Sequence, residues 1–256
     1  MLLAVPLLNP AQATERFAAT PDAAAERYRP ELLAAIEQCY SSAQQLRDRV
    51  RSGDLQGARE AWIASRVGWE RAEVFTSGFT SELDTEIDSW PSANGGFHYI
   101  EARLFGARRT DVQPAADALL FHLADLRLKV RQTVLTRQGM LEGSARLAYE
   151  IGESKADGGE SRFSGTSLED MRNNTAGLES AYRLVFESEL QSRDPQLART
   201  VRSYIQQLQA QLQPASLAEV DGQLVRQTSE DLVMSLQAAA PVLGLQTPSL
   251  ADLAQQ

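Results

Sequence analysis

The chain has 256 residues, of which 43% are hydrophobic and 23% are charged, and this is the composition of an ordinary soluble globular protein with one large domain or two small ones. The net charge of −9 and the isoelectric point near 4.9 argue against nucleic acid as a partner, because nucleic-acid binding needs a basic surface. The single cysteine, Cys39, excludes an internal disulfide and a metal site built from several thiolates, and its apolar neighbours predict a buried thiol.

The N-terminus carries a short apolar run over residues 2–8, followed by Ala11-Gln12-Ala13. This pattern is typical of the end of a secretory signal with a small-x-small cleavage site, although the basic segment that normally precedes it is missing. A frayed apolar tail is the alternative. We predict that residues 1–13 are a signal-peptide remnant and that the protein is periplasmic or otherwise exported. No other apolar run approaches the roughly 18 residues of a membrane span.

Helical signals dominate the rest of the first half, and period-2 runs of β-branched residues are absent. Apolar stripes at helical spacing predict a first helix that ends near Gly53 and a second that ends near Gly78. A short third helix is expected over about 96–106, and a fourth carries the apolar stripe from Leu119 to Val130.

The second half is predicted to begin at Gly139 and Gly143, with a helix over about 140–151. Residues 154–167 contain three glycines and predict a loop. Three more helices are expected over about 167–191, 195–213 and 217–240. Together these elements predict an all-α fold of two packed four-helix bundles, with a first bundle over 20–138 and a second over 139–256.

Three short patterns predict helix starts. Thr20-Pro21 and Asp194-Pro195 are typical of an N-cap followed by proline at the first helical position. Thr166 with Glu169 fits a capping box, in which the two side chains bond each other's backbone N–H groups.

Residues 96–101, Gly-Phe-His-Tyr-Ile-Glu, hold one of only two histidines, with a carboxylate three residues later. On a helix these positions share one face, about 5–6 Å apart at Cβ. His98 and Glu101 can therefore present a nitrogen and an oxygen to one borderline or hard metal ion. The alternative is a packing histidine paired with Glu101. With an ordinary pKa near 6.5, His98 is expected to make metal affinity fall as the pH drops from about 7 to 5.

An acid-rich stretch precedes this motif and supplies further candidate ligands. Glu70 and Glu73 lie three residues apart, so both can point from one helix face toward His98. Acids on a helix are more often solvated than ligating. Asp88 is expected in a loop, and Asp84 is expected to cap or form a turn.

A second pair, His122 and Asp125, repeats the His-x-x-acid spacing, but no glycine-led motif surrounds it. His122 lies beside the apolar stripe of its helix, so we predict a histidine at the edge of the core. Trp62, Trp69 and Trp90 are most simply core or loop anchors.

Four blocks of the sequence, in this order, resemble the imelysin family. The first is the helix of residues 58–73, with Trp69-Glu70-Arg71-Ala72-Glu73, and the second is the Asp-x-x-Ile-Asp loop within residues 84–91. The third is the Gly-x-His-x-x-Glu helix of residues 96–106. The fourth, residues 160–177, begins with Glu160-Ser161-Arg162-Phe163-Ser164 and is similar to the EfeO-type branch of bacterial iron-uptake proteins.

The resemblance covers most of residues 55–185 and implies a mostly helical periplasmic or surface protein with a metal site at the third block. It implies the metal ligands His98, Glu101, Glu73, Glu70 and Asp88, and it leaves open whether Asp170 joins them. Two features depart from the EfeO-type pattern. We expect no room within these 256 residues for the extra cupredoxin domain, and Glu169 stands where that branch usually has an aromatic residue.

The leading hypothesis is an exported protein that captures a divalent or ferric metal ion for uptake. Iron is favoured by the resemblance alone, while one imidazole with several carboxylates suits iron, manganese, zinc or copper(II). The expected partners are the ion and a membrane iron permease or other uptake component. One alternative is a metallopeptidase of the imelysin type, since the family carries an older peptidase label, but His-Glu-x-x-His and Gly-x-Ser-x-Gly are absent. A structural helical surface protein is the other, and we predict no enzyme.

Overall fold

The computed structural model describes residues 22–88 and 95–249, which form helices joined by short loops and contain no β-strand. The predicted all-α fold is confirmed. The predictions for residues 1–13, Thr20-Pro21 and Trp90 lie outside the described residues. The α-helices are α1 (Ala23–Glu26), α2 (Arg29–Ser52), α3 (Leu55–Phe79), α4 (Ser81–Asp88), α5 (Gly96–Glu101), α6 (Gln113–Gln132), α7 (Arg137–Glu150), α8 (Ser167–Ala181), α9 (Glu187–Arg193), α10 (Pro195–Gln211) and α11 (Gly222–Val242).

Helices α2 and α3 form a hairpin whose turn follows the sequence signals. Gly53 ends α2 with φ of 74°, a left-handed conformation that glycine adopts without strain. Asp54 then caps α3 by accepting a hydrogen bond from the Gly57 N–H. Cys39 of α2 and Trp62 of α3 are fully buried, as the apolar spacing predicts. The hairpin thus forms one side of the hydrophobic core.

Helix α3 is the central element of the fold because it packs on α2 and α4 of the first half and on α7 and α8 of the second half. Helices α2 and α6 also contact each other. In the second half, α11 contacts both α7 and α10. The expected division into bundles over 20–138 and 139–256 stays a prediction. What the packing adds is a broad contact between the two halves along α3. None of the described helices is long and apolar enough to cross a membrane.

Gly139 and Gly143 do not punctuate the chain, because both lie inside α7. They let α7 approach α3 closely. A Cβ built on Gly143 would lie 2.0 Å from the Val74 carbonyl oxygen, and one on Gly139 would lie 2.4 Å from the Phe79 ring. A side chain at either position would push the two helices apart, so these glycines serve the packing of the two halves.

In the described part of the chain three helices continue into π-helical turns, which sequence periodicity does not predict. These turns are Ala102–Gly106 after α5, Ile151–Lys155 after α7, and Tyr182–Phe186 between α8 and α9. The predicted loop over 154–167 is therefore shorter and runs over 156–166. A π-turn inserts one residue into the helical ladder and is frequent at functional sites.

The helix-start predictions have different outcomes. Asp194 caps α10 by accepting from the N–H groups of Gln196 and Leu197, and Pro195 follows it as predicted. The capping box at Thr166 is wrong, because Thr166 makes no side-chain cap. Its hydroxyl instead donates to the Asp170 carboxylate at 3.3 Å.

Candidate metal centre

Helix α3 supplies three charged side chains from one buried face. Arg66, Glu70 and Glu73 lie at positions i, i+4 and i+7, a spacing that aligns them along the helix. Their exposed fractions are 1%, 0% and 5%. Burying charge is costly unless each group is paired, so this face requires partners of both signs from neighbouring helices.

Asp88 and His98 come from the adjoining ends of α4 and α5. Asp88 is the last residue of α4, so the loop predicted for it is wrong. Gly96 begins α5 with φ of 70°, and a Cβ there would lie 2.5 Å from the Ile87 carbonyl oxygen. The motif glycine thus lets α5 start directly against α4. As a result His98 Nε2 lies 3.3 Å from Asp88 Oδ1.

Glu101, three residues after His98, connects α5 to the loop over 156–166. Its Oε1 accepts hydrogen bonds from the Phe163 N–H at 3.1 Å, the Ser164 N–H at 2.8 Å and the Ser164 hydroxyl at 2.7 Å. Its Oε2 lies 3.5 Å from His98 Nδ1. One oxygen of Glu101 therefore holds the loop, and the other faces the imidazole.

That loop and helix α8 bring two more acids into the cluster. Glu160 Oε1 lies 3.7 Å from His98 Nε2. Asp170, in the first turn of α8, accepts a hydrogen bond from the Ser161 hydroxyl at 2.6 Å. Both acids are buried. The second half of the chain therefore completes the arrangement that the first half begins.

Two cationic side chains lie among these acids. Arg66 contacts Glu70 and Asp88 directly, and its Nη2 lies 3.5 Å from Glu160 Oε1 and 3.8 Å from Asp170 Oδ2. Lys155, at the end of the π-turn after α7, is also buried. Among the described residues, the cluster thus holds six carboxylates, two permanent cations and one imidazole.

Neutral donors complete the hydrogen bonding of the carboxylates. The Trp69 indole N–H donates to Asp88 Oδ2 at 2.6 Å and to Glu73 Oε1 at 3.1 Å. The Asn174 amide donates to Glu70 Oε2 at 2.7 Å and also to Glu73. Trp69 is therefore more than the core anchor that its spacing predicts, because it orients two acids of the cluster.

The surroundings of His98 change its protonation. Burial opposes the imidazolium charge, but Asp88, Glu101 and Glu160 outweigh it and raise the pKa of His98 to about 9. The expectation of a switch near pH 6.5 is therefore wrong for the ion-free protein. Burial likewise opposes the charge on Glu101, yet His98 and Ser164 hold its pKa below the usual range.

The other acids are pushed in opposite directions. Burial together with Glu70 raises the pKa of Glu73 well above its ordinary value, and burial raises the pKa of Asp170 to about 7. For Glu160, burial is outweighed by Lys155 and His98, which hold the pKa of that carboxyl well below its usual range. The pKa values of the buried acids therefore shift in different directions, because each carboxyl group has different charged neighbours.

The ligand atoms converge in two groups that share Asp88. One oxygen of Asp88, one nitrogen of His98 and one oxygen of Glu160 lie within 4.8 Å of one another, and so do oxygens of Glu70, Glu73 and Asp88. All five predicted ligands therefore belong to one buried cluster, and their role as ligands stays a prediction. Glu101 joins neither group of three.

Two residues considered in the sequence lie elsewhere. His122 on α6 is partly exposed, and its Nε2 lies 3.8 Å from Glu86 Oε2. Asp84 is not a cap but a member of α4, hydrogen-bonded to Thr76, and burial followed by the nearby Glu150 charge raises its pKa to about 7.

Sequence reasoning missed Arg66, Lys155, Glu160 and Asn174 as members of the cluster. Arg66 shares the spacing of Glu70 and Glu73 and could have been found from it. Glu160 and Asn174 lie in the fourth block of the resemblance, where no role was assigned to them. Nothing in the local sequence marks Lys155, whose position depends on the π-turn.

Fold and site together define an all-α protein with a buried His/carboxylate cluster between its helices. The family model described as imelysin, also designated peptidase M75, matches residues 24–95 and 92–243. The chain belongs to the imelysin family.

Two curated relatives are iron uptake system components. EfeM of Pseudomonas syringae pv. syringae (strain B728a) is 31% identical over 169 residues, which are 62% of this chain and 59% of that protein. EfeO of Escherichia coli (strain K12) is 28% identical over 184 residues, which are 68% of this chain and 48% of that protein. The chain thus spans about half the length of the curated relatives that it matches, and it is related to iron-uptake proteins.

A solved structure has the same fold. It comes from Parabacteroides distasonis ATCC 8503, is assigned as an iron-regulated protein A precursor, and matches with a TM-score of 0.64 over 86% of this chain and 95% of that chain. At 16% sequence identity this likeness establishes the fold alone.

Proposed function

We propose that this protein is an exported metal-binding protein that captures iron, or another divalent cation, for uptake through its His/carboxylate cluster. The observation that carries the proposal is the convergence of Asp88, His98 and Glu160 inside a buried cluster with six carboxylates and two permanent cations. With all acids ionised, such a cluster retains excess negative charge, and a bound cation offsets it. The names of the two relatives support iron as the cargo.

The donor set fits the cargo. Carboxylate oxygens with one imidazole nitrogen form a hard-to-borderline set, which suits iron, manganese or zinc and disfavours copper(I). Asp88 and Glu160 supply the nearest oxygens to His98, while Glu101, Glu73 and Glu70 lie in the surrounding cluster. We propose that an ion bound here passes to a membrane permease or another uptake component.

We propose binding rather than hydrolysis. Catalytic zinc in the common hydrolases uses at least two histidines with an acid and leaves a position open for water. In the described part of the chain the cluster holds a single histidine, and its acids are already engaged by Arg66 and Lys155. These features favour a carrier over a peptidase.

Metal titration tests the proposal. Ion-free protein is titrated by calorimetry with Fe²⁺ under anaerobic conditions and with Zn²⁺, using His98→Ala and the matched control His122→Ala, which makes the same change at the other histidine. We expect His98→Ala to lower affinity by about 100-fold or more, because losing a ligand should cost at least as much as losing a group that only supports a ligand. His122→Ala should bind like wild type. Equal affinity of His98→Ala and wild type would contradict the site.

Two further measurements separate the alternatives. A broad peptide mixture incubated with metal-loaded protein should show no cleavage beyond that of His98→Ala, and cleavage that depends on His98 would favour the peptidase. Elemental analysis of protein isolated from the exported fraction should find iron. The intact mass of that protein should equal the mass of a chain cleaved after Ala13.

A further inference from the structure

Lys155 is one of only two lysines in the sequence, and it lies inside the carboxylate cluster with 2% of its surface exposed. Its ammonium nitrogen lies 2.7 Å from Glu70 Oε2, 3.1 Å from Glu73 Oε2 and 3.3 Å from Glu160 Oε1. An ammonium is a compact point charge on a flexible stem. Held by three carboxylates, it stands where a cation coordinated by the same oxygens would stand.

We propose that Lys155 is a tethered competitor for the cation cargo. Its ammonium occupies the Glu70 and Glu73 half of the cluster, competes for the Glu160 oxygen of the half formed by Asp88, His98 and Glu160, and limits how tightly the ion binds. This inference rests on the proposed function and deepens it, because it identifies the residue that regulates the same site.

The Glu70 and Glu73 half is already supplied with donors. Lys155 and the Asn174 amide both contact Glu70 Oε2 and Glu73 Oε2. Oxygens of these two acids and Asp88 are close enough to hold an ion. An ion there must displace a buried ammonium, which would then lose two of its three carboxylate partners, and leaving a buried charge without its partners is strongly destabilising.

The other half is contacted less fully by Lys155. Among the contacts of the described residues, its ammonium reaches Glu160 but neither Asp88 nor His98. Glu160 Oε1 lies 3.3 Å from the ammonium and 3.7 Å from His98 Nε2, so this oxygen is common to the two halves. An ion that takes Glu160 as a ligand therefore competes directly with Lys155 for one oxygen.

The chain segment after α7 supplies both the competing ammonium and the carboxylate oxygen for which it competes. Lys155 ends the π-turn Ile151–Lys155, and Glu160 follows five residues later in the loop over 156–166. A carrier must release its cargo as well as bind it, and a fixed positive charge a few ångströms from the ion lowers affinity by direct repulsion. The ammonium of Lys155 thus lowers the affinity of a strongly anionic cluster for the ion, so that the bound ion can be released.

The test replaces each lysine by the same neutral side chain. Lys155→Met removes the ammonium and keeps the length of the stem, while the control Lys129→Met makes the same change on α6, away from the cluster. In calorimetry with Zn²⁺ and with anaerobic Fe²⁺, we expect Lys155→Met to bind about tenfold more tightly or better than wild type, a change equal to about 1.4 kcal/mol. Lys129→Met should match wild type. Unchanged or weaker binding by Lys155→Met would overturn the inference.

A second comparison keeps the test valid if Lys155→Met does not fold. Glu73→Gln alone is compared with Lys155→Met/Glu73→Gln, in which the ammonium is removed together with one of the carboxyl groups that it contacts. The double variant should bind at least about tenfold more tightly than Glu73→Gln. If Lys155 is only structural, the double variant will bind no more tightly than Glu73→Gln.

The outcomes separate this inference from the proposed function. Binding by wild type that depends on His98, but is not tightened by removing Lys155, overturns the inference and leaves the proposed function standing. If neither wild type nor either Lys155 variant binds Zn²⁺ or Fe²⁺, both are overturned. Thermal unfolding gives a readout without metal: ion-free Lys155→Met should unfold at a lower temperature than Lys129→Met, and added Zn²⁺ should raise it further than in wild type.

Discussion

The two histidines of this chain share one sequence spacing and have opposite surroundings. His98 is followed three residues later by Glu101, and His122 is followed three residues later by Asp125. His98 is buried within 3.7 Å of oxygens from Asp88, Glu101 and Glu160. His122 is partly exposed and lies 3.8 Å from a glutamate whose side chain is 63% exposed. The same local pattern therefore yields a cluster in one place and a surface contact in the other.

The difference lies in the elements that converge on each histidine. His98 lies on a glycine-led helix that begins against α4, and it lies 3.7 Å from Glu160 of the loop over 156–166. Glu160 is contacted in turn by Arg66 of α3 and by Lys155 of the π-turn after α7. His122 is on α6, which meets mainly α2, α4 and α5. Spacing places an imidazole and a carboxylate on one helix face, but only neighbouring helices can remove them from water and add further ligands.

The largest expected difference concerns one ion pair in the cluster of His98 and one on the helix of His122. Arg66→Met removes a buried guanidinium that contacts Glu70 and Asp88, and the free energy of unfolding should fall by about 3–5 kcal/mol because those acids lose their partner. The matched change Arg127→Met, on the helix of His122, breaks a surface pair with Glu37 and should cost about 1 kcal/mol or less. Urea denaturation measures both, and equal costs would remove the distinction between the two regions.

The next difference concerns pH. Because folding raises the pKa of His98 from 6.5 to about 9, its charge stabilises the folded state fully below pH 6.5, and this contribution is lost as the pH rises through 9. The stability advantage of wild type over His98→Gln should therefore fall by about 3 kcal/mol between pH 6 and 9.5. Other titrating groups are shared by both proteins, so most of their contribution cancels.

The control for the pH measurement is His122→Gln, which should differ from wild type by less than about 0.5 kcal/mol, as expected for a partly exposed position. For metal binding, the raised pKa means that the ion displaces a proton from His98 up to about pH 9. The affinity for Zn²⁺ should then rise through pH 7 and 8, beyond the range in which an ordinary histidine has lost its proton. In the stability measurement, an advantage of wild type over His98→Gln that is constant or grows with pH would contradict the buried, charged imidazole.

The smallest difference concerns the acid of each pair. Glu101→Ala removes the oxygen that accepts from the Phe163 and Ser164 N–H groups, so hydrogen exchange at these two amides should accelerate by about tenfold, which corresponds to about 1.4 kcal/mol. Asp125→Ala, the matched change in the other pair, should leave exchange at both amides unchanged. If Glu101→Ala also leaves it unchanged, Glu101 does not hold the loop.

Several features of the fold follow from the sequence alone. The apolar period and the short turns predicted helices throughout, and Gly53 and Asp194 predicted where two of them end or begin. These signals are local, since they depend on backbone freedom and hydrogen bonds within a few residues. The Gly-x-His-x-x-Glu motif and the ordered blocks likewise indicated the imelysin family, to which the chain belongs.

The sequence could not place the charges that surround His98. Lys155, Glu160 and Asp170 are separated from it by 57 or more residues, and their approach depends on how α7 and α8 pack on α3. Gly139 and Gly143 illustrate the limit: they predicted a break in the chain, whereas in three dimensions they bring two helices together.

The protonation of the cluster was likewise decided by tertiary structure. A histidine has a pKa near 6.5 in water, and the spacing of His98 and Glu101 gives no reason to expect a large change. Only burial among Asp88, Glu101 and Glu160 moves the pKa of His98 to about 9. The sequence by itself determined the helices and the motif, while their packing determined the charge, because electrostatic energies depend on distance and exclusion of water rather than on order along the chain.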